Sequence, residues 1–377
     1  MPAAVSTPTA STPATAHAVA VPAPGLFNIK NSSRNFSKKE FWSKNRFNSA
    51  FPTALALYME SIGISPVYLK LADSLRTFDK SYITTSELFG VNLSSNEAFY
   101  DYETAFSPFS SFVSNQTPKV DLQVSTHSPR VIKSGFEIKL TVLPDDTTSA
   151  KPEAKWGSEL VIRMPSLVYL ACSIASAYVG ADRDRLKRFF GAGYGAFNNY
   201  RTAPQVNPIL PRIGQILNAI VADNVTSQQP ALIQPIWKTE GKKAVLHENC
   251  LDMFVWSNLA FLKLFLKDNY VTAADPTKKI SRPDRAVIQL FFMLHDYAIG
   301  GSFNPESIQN NLSYDTKNDK AFSLSGLKTN PIMSCDELLT PRIRRDQIKN
   351  IILNDGHKFL SPERRFDSAI VTSLGLF

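Results

Sequence analysis

The chain has 377 residues, 44% of them hydrophobic and 11% aromatic, enough to bury a large core as one elaborate domain or two. A formal charge of +8 favours an anionic partner, nucleic acid before an acidic membrane surface. The three cysteines, Cys172, Cys250 and Cys335, exclude a closed disulfide framework, argue against a thiolate zinc site and suit a reducing cytoplasm.

Residues 1–24 are almost wholly Ala, Pro, Thr, Ser and Val, without Asp, Glu, Lys or Arg. They cannot build a core and read as a disordered tail. No basic stretch followed by an apolar run marks a signal peptide. Structure is expected from about Phe36. Pro52 suits the first turn of a helix that buries Ala54, Leu55, Leu57, Tyr58 and Ile62 and ends at Gly63. A second helix is expected over residues 66–75, and residues 80–117 show only weak periodicity.

A strand-rich block follows. "KVDLQVS" and "VIKSGFEIKLTVL" alternate as strands, with "HSPR" between them as a turn and Gly135 as a bulge or a point of close approach. "DDTTSAKPEAKWG" is a polar connection, and "SELVIRM" alternates again. Residues 166–190 read as one long helix. Its apolar part, Leu167 to Gly180, is too short to span a bilayer, so no membrane association is expected. "GAGYGAF", residues 191–197, follows a helix instead of a strand and reads as a loop. "ENCLDMFVWSNLAFLKLFLKD" and "PDRAVIQLFFMLHDYAIGG" read as core helices or a dimer seam, and "TPRIRRDQIKNIIL" as a basic amphipathic helix.

Chemistry concentrates in "GFEIKL". Glu137 and Lys139 share one face of a strand whose other positions, Phe136, Ile138 and Leu140, are apolar. Burying two charges is costly unless they meet each other, a metal or a substrate. A hairpin around "HSPR" would bring Asp121 to Glu137. A divalent cation relieves the repulsion between two such carboxylates, and oxygen ligands of this kind suit Mg²⁺. Lys139 would then hold or activate a water. Three other acid-x-Lys pairs, Glu153/Lys155, Glu240/Lys242 and Asp315/Lys317, lie in polar, turn-like sequence and read as solvated.

Pro118, three positions before Asp121, and Glu-x-Lys beginning sixteen positions after it resemble the PD-(D/E)XK nuclease pattern. "KVDLQV", "FEIKLTVLPDDTT", "GSELVIR" and "FWSKNRFNSAFPTALALYM" further resemble the HindVP-type family of type II restriction endonucleases. The resemblance runs in blocks from about Phe41 to Arg163. It implies an α/β fold with a restriction-endonuclease-like mixed β-sheet core flanked by helices, to which the helical patterns later in the chain add a largely helical C-terminal part. It also implies a bacterial, cytoplasmic homodimer that cuts double-stranded DNA with Mg²⁺ at a short palindrome, with GRCGYC the implied target. A companion methyltransferase would shield the host's own copies of the site without direct contact. The proline is not adjacent to the aspartate, which departs from the superfamily's name. By this resemblance Asp121 and Glu137 are metal ligands and Lys139 the catalytic amine. The chain divides into the tail at 1–24, a nuclease core at 25–190 and a mainly helical region at 191–377 for DNA recognition or dimerisation.

Glu60 is the candidate for a further acidic ligand, helix capping being its alternative. Glu159 borders the site or is an edge-strand charge. Thr141 bonds phosphate or fills sheet space. For DNA contacts the candidates are Arg163 on the "SELVIRM" strand and Arg342, Arg344, Arg345 and Lys349 near the C-terminus. Arg183, Arg185, Lys187 and Arg188 interleave with Asp182 and Asp184 and read as a solvated helix face. Two other functions share these features: a repair or structure-selective nuclease of the same superfamily, and a non-catalytic DNA-binding module with Glu137–Lys139 as a plain ion pair.

Overall fold

The structure, a computed structural model, describes residues 42–92, 98–143, 160–199, 203–239, 246–267, 280–311, 322–324, 335–349 and 351. In chain order its first elements are α1 (Trp42–Ser61), β1 (Val67–Leu71), β2 (Phe78–Tyr82), α2 (Thr85–Phe89), β3 (Ala98–Ala105), β4 (Lys119–Thr126), β5 (Ile132–Ile138), β6 (Thr141–Leu143) and β7 (Leu160–Ile162). Helices α3 (Met164–Ala175), α4 (Asp182–Phe190), α5 (Ala203–Val206) and α6 (Leu210–Asp223) come next, then β8 (Pro230–Thr239), β9 (Leu246–Ser257) and α7 (Asn258–Lys263). The chain continues with α8 (Arg282–Gly300), α9 (Pro305–Asn311), β10 (Phe322–Leu324), α10 (Asp336–Leu339), β11 (Ile343–Arg344) and α11 (Arg345–Lys349).

Nine strands form one mixed sheet with the path β2-β1-β9-β8-β5-β4-β3. The pairs β1/β9 and β5/β8 are parallel; β1/β2, β8/β9, β4/β5 and β3/β4 are antiparallel. β6 carries the parallel pairing of β5 further along β8, and β11 pairs with the first half of β9. The central strands β8 and β9 come from beyond residue 190, so the early strands and the later half of the chain share one sheet.

Both faces are covered. On one, Phe51, Ala54, Leu55 and Met59 of α1 pack with Leu122, Val124, Phe136, Ile138, Ile233 and Trp237 of the sheet, joined by Leu88 and Phe89 of α2 and Ile348 of α11. On the other, α3, α4, α6, α7 and α8 pack over Leu69, Val120, Leu232, Ile236 and Trp256. Burial on the scale of these two clusters is the main stabilising term.

Several expected elements take another form, each for a physical reason. α1 begins ten residues before Pro52, which sits inside it. An interior proline costs about 3 kcal/mol, and the surrounding burial offsets it. The helix expected at 66–75 is β1, with Val67, Leu69 and Leu71 in one cluster and Tyr68 in the other. "ENCLDMFVWS" is likewise strand β9, buried on both faces from Cys250 to Ser257. Strands covered on both sides read as continuous apolar runs, which periodicity cannot separate from a helix. Ser257 then caps the short α7, its Oγ accepting the Ala260 N–H at 3.1 Å. The single helix expected over 166–190 is two, α3 and α4, bent by 117° across a break at which Gly180 takes a positive φ of 61°. "SELVIRM" supplies β7, which pairs with β10 outside the main sheet. "TPRIRRDQIK" supplies β11 and the five-residue α11 instead of one amphipathic helix. Among the described residues no single helix is long and apolar enough to cross a membrane. The tail at 1–24 and the three other acid-x-Lys pairs lie outside the described residues.

Candidate active site

The β4–β5 hairpin closes as its sequence implies. Thr126 Oγ1 donates to the Pro129 carbonyl at 2.7 Å and accepts the Val131 N–H at 3.1 Å. The register pairs Leu122 with Phe136 and Gln123 with Gly135, which sets Asp121 opposite Glu137 one step further on. Phe136 and Ile138 point into the α1 layer, so Asp121, Glu137 and Lys139 point to the α3 side. β5 runs parallel to β8, with Glu137 beside Leu232 and the Lys139 N–H donating to the Ile233 carbonyl at 3.0 Å.

Glu137 and Lys139 are buried, 5% and 6% exposed, and their side chains form an ion pair through Glu137 Oε1. The same oxygen accepts the Ser166 hydroxyl at 2.6 Å, from the first turn of α3. Asp121 Oδ2 accepts the Ile138 backbone N–H at 2.6 Å. One turn beyond Ser166, Tyr169 donates its hydroxyl to the Gly135 carbonyl at 2.6 Å. α3 therefore holds β5 at two points, the Gly135 main chain and the Glu137 carboxylate.

Burial raises the Asp121 carboxyl to about 7, and the negative charges of Glu137 and Glu103 push the same way. Lys139 and the Ile138 N–H act against them without restoring the ordinary carboxylate range. Glu103 lies on β3 opposite Asp121, between the registered pairs Tyr102/Leu122 and Thr104/Val120. It is exposed and takes a positive φ of 52°, uncommon for a glutamate in a strand. Sequence reasoning missed Glu103 and Ser166. The alternation in "YDYET" was a usable signal for the first; a serine opening an apolar helix carried none for the second.

Among the described residues no three His, Cys, Asp or Glu side chains are close enough together to hold a metal ion unaided. Mg²⁺ does not require that, since it takes one or two carboxylates and completes its shell with water and phosphate oxygen. Asp121 Oδ1 and Glu137 Oε2 accept no hydrogen bond from any described residue, and they lie on one face in a site that disfavours a second negative charge. A hard divalent cation fits this donor set.

The other expected site residues lie elsewhere. Glu60, on α1 over the opposite face, accepts the Thr85 hydroxyl at 2.7 Å and belongs to the α1–α2 contact. Glu159 lies outside the described residues. Thr141 pairs with Ile236 in β6, and its side chain, like that of Lys349 on α11, is outside them too. Arg163 occupies the N-cap of α3, half-buried and three residues before Ser166. Arg342 grips Asp252 with two hydrogen bonds, at 2.7 and 2.6 Å, and donates to the Ser65 carbonyl at 3.0 Å. Asp252 is 1% exposed, so this is a buried structural pair. Arg344 meets Asp346 at 3.1 Å and Arg345 meets Glu248 at 3.5 Å, both at the surface.

A mixed sheet between two helical layers, with two acids and a lysine converging on adjoining strands, defines an α/β fold of the restriction-endonuclease kind. The chain belongs to the HindVP restriction endonuclease family, whose model matches residues 42–377. It is similar to the type II restriction enzyme HgiDI of Herpetosiphon aurantiacus, 41% identical over 354 residues, which cover 94% of this chain and 97% of that one. It is also similar to the probable type II restriction enzyme HindVP of Haemophilus influenzae, 38% identical over 359 residues, covering 94% and 95%. No solved structure matches the chain.

Proposed function

We propose that this restriction endonuclease hydrolyses phosphodiester bonds of duplex DNA at a short palindrome, GRCGYC, with Mg²⁺ held by Asp121 and Glu137. The observation that carries the reading is the meeting of Asp121, Glu137 and Lys139 on one sheet face, where Asp121 keeps its proton near neutrality unless a cation takes its place. When bound, Mg²⁺ supplies Lewis acidity toward the phosphoryl oxygens. Lys139, released from Glu137 Oε1 or shared with it, orients the attacking water and offsets charge developing on the phosphate. Glu137 and Asp121 would hold the cation, and the packed α3 limits how far β5, which carries Glu137, can move.

Arg163, at the start of the helix that carries Ser166, is the favoured phosphate contact. Arg344, at the end of β11, and Arg345, at the start of α11, are already paired at the surface with Asp346 and Glu248 and suit a more distant DNA contact at most. A palindromic target calls for a two-fold dimer with one cut per subunit. A host would need a methyltransferase that modifies the same site, with the enzyme acting in the cytoplasm where the chromosome lies.

Digestion of a plasmid of known sequence by purified protein, with and without Mg²⁺, tests the proposal. Discrete fragments ending at one palindrome support it. Nicking or smearing favours a structure-selective nuclease, and cleavage by Asp121→Ala at the wild-type rate removes Asp121 from the mechanism.

A further inference from the structure

We propose that Ser166 is a positioning residue for cation binding: with Lys139 it holds Glu137 Oε1 and so leaves Oε2 directed to the cation. This rests on the function proposed above. Two donors converge on one oxygen of the carboxylate, the Lys139 ammonium from β5's own continuation and the Ser166 hydroxyl at 2.6 Å from α3. Neither donates to Oε2. A carboxylate with both donors on one oxygen cannot rotate about its last bond without breaking both contacts at once, so the orientation of Oε2 is set before any cation arrives.

The serine is itself rigidly placed. It is 1% exposed, three residues past the Arg163 N-cap, in a helix whose residues from Leu167 to Ala175 are all buried. Tyr169, one turn on, ties the same helix to the Gly135 carbonyl, two residues before Glu137. Lys139 alone would not do this, because its ammonium must approach water and phosphate during the reaction and then leaves Oε1 with a single neutral donor. Ser166 keeps Glu137 oriented through that exchange. Residues that hold a metal-binding carboxylate in this way typically change metal affinity 10- to 100-fold when removed.

The test uses full-length protein and three variants, Ser166→Ala, Ser166→Thr and Ser166→Cys. Calorimetric titration with Mn²⁺, in the absence of DNA, reads cation affinity directly. The Mg²⁺ concentration for half-maximal plasmid cleavage reads it during turnover, and thermal unfolding in EDTA reads stability. Ser166→Ala is expected to weaken Mn²⁺ binding and raise the half-maximal Mg²⁺ concentration by about tenfold or more. Ser166→Thr, which keeps the hydroxyl, should restore both to within about threefold of wild type. Should Ser166→Ala fail to fold, Ser166→Cys, a near-isosteric but poor donor, takes its place with the same expectation. Loss of thermal stability with unchanged Mn²⁺ affinity and unchanged Mg²⁺ dependence overturns the proposal, leaving Ser166 a packing residue. Wild-type protein that neither binds Mn²⁺ nor needs Mg²⁺ for cleavage overturns the functional reading itself, a result distinct from any effect of the variants.

Discussion

Asp121 and Glu137 face one another across β4 and β5, one step beyond the Leu122–Phe136 pair, with Lys139 on the same side. Among the described residues, Lys139 gives Glu137 a cationic partner while Asp121 has a backbone N–H. That asymmetry makes Asp121 the carboxyl most dependent on what enters the site.

Asp121 should therefore destabilise the metal-free protein at alkaline pH. Its carboxyl is raised from 3.8 to about 7, chiefly by burial and then by Glu137. Between about pH 4 and pH 7 the native state holds a proton that the unfolded chain has released, so stability falls as pH rises through that window. Asp121→Asn removes the ionisation and keeps an acceptor for the Ile138 N–H. Urea unfolding in EDTA should show the variant about 3–5 kcal/mol more stable than wild type at pH 8, with the difference gone by pH 4. A difference that does not grow with pH contradicts the assignment. Cleavage should be lost at every pH.

Lys139→Met should do the opposite to stability. It leaves Glu137 charged and buried with Ser166 as its remaining partner, and breaking a buried pair from one side costs about 3–5 kcal/mol. Glu137→Gln in the same chain removes the stranded charge, so the double variant should recover most of that loss while staying inactive. Denaturant midpoints with matched slopes measure both effects; a double variant no more stable than Lys139→Met would refute the pairing.

The parts of this site that were legible in the sequence are those governed by a period of two. "GFEIKL" alternates because one face of β5 meets α1 and the other meets the acid pair, and "HSPR" brings Asp121 back to Glu137. β1 and β9 were not legible, since burial on both faces erases alternation. Ser166 and Arg342 were illegible for another reason. Their partners, Glu137 and Asp252, lie 29 and 90 residues away, and nothing local in the sequence distinguishes a serine or arginine with a buried carboxylate from one in water.

Gly135 was legible only as a choice between a bulge and a close approach, and the structure selects the second. The register shift in this hairpin falls between Val124 and Ser125 instead. A Cβ on Gly135 would lie 2.7 Å from Phe106 Cε2 and 2.8 Å from Cζ, in a ring packed edge-on against Phe109. Gly135→Ala should destabilise by about 1–3 kcal/mol. Phe106→Leu makes room for the new methyl group, so a double-mutant cycle should show the pair less damaging than the sum of the singles. Strict additivity would mean that Phe106 is not what confines residue 135.

Arg342 and Arg163 should separate cleanly, although the sequence offers both as DNA contacts. Arg342 lies over the Tyr82 ring at 5.5 Å with its guanidinium engaged by Asp252, and burial raises the Asp252 carboxyl despite that partner. Arg342→Ala strands a buried carboxylate and should cost about 3 kcal/mol or more of stability. At temperatures where the variant is folded, its DNA affinity should keep the wild-type dependence on salt. Arg163→Ala should instead weaken DNA binding across sequences and lower the log–log salt slope by about 1, as loss of one phosphate contact requires. Binding isotherms in Ca²⁺ at several salt concentrations, alongside denaturant unfolding, measure both. An Arg342→Ala protein of wild-type stability with a reduced salt slope would exchange the two roles.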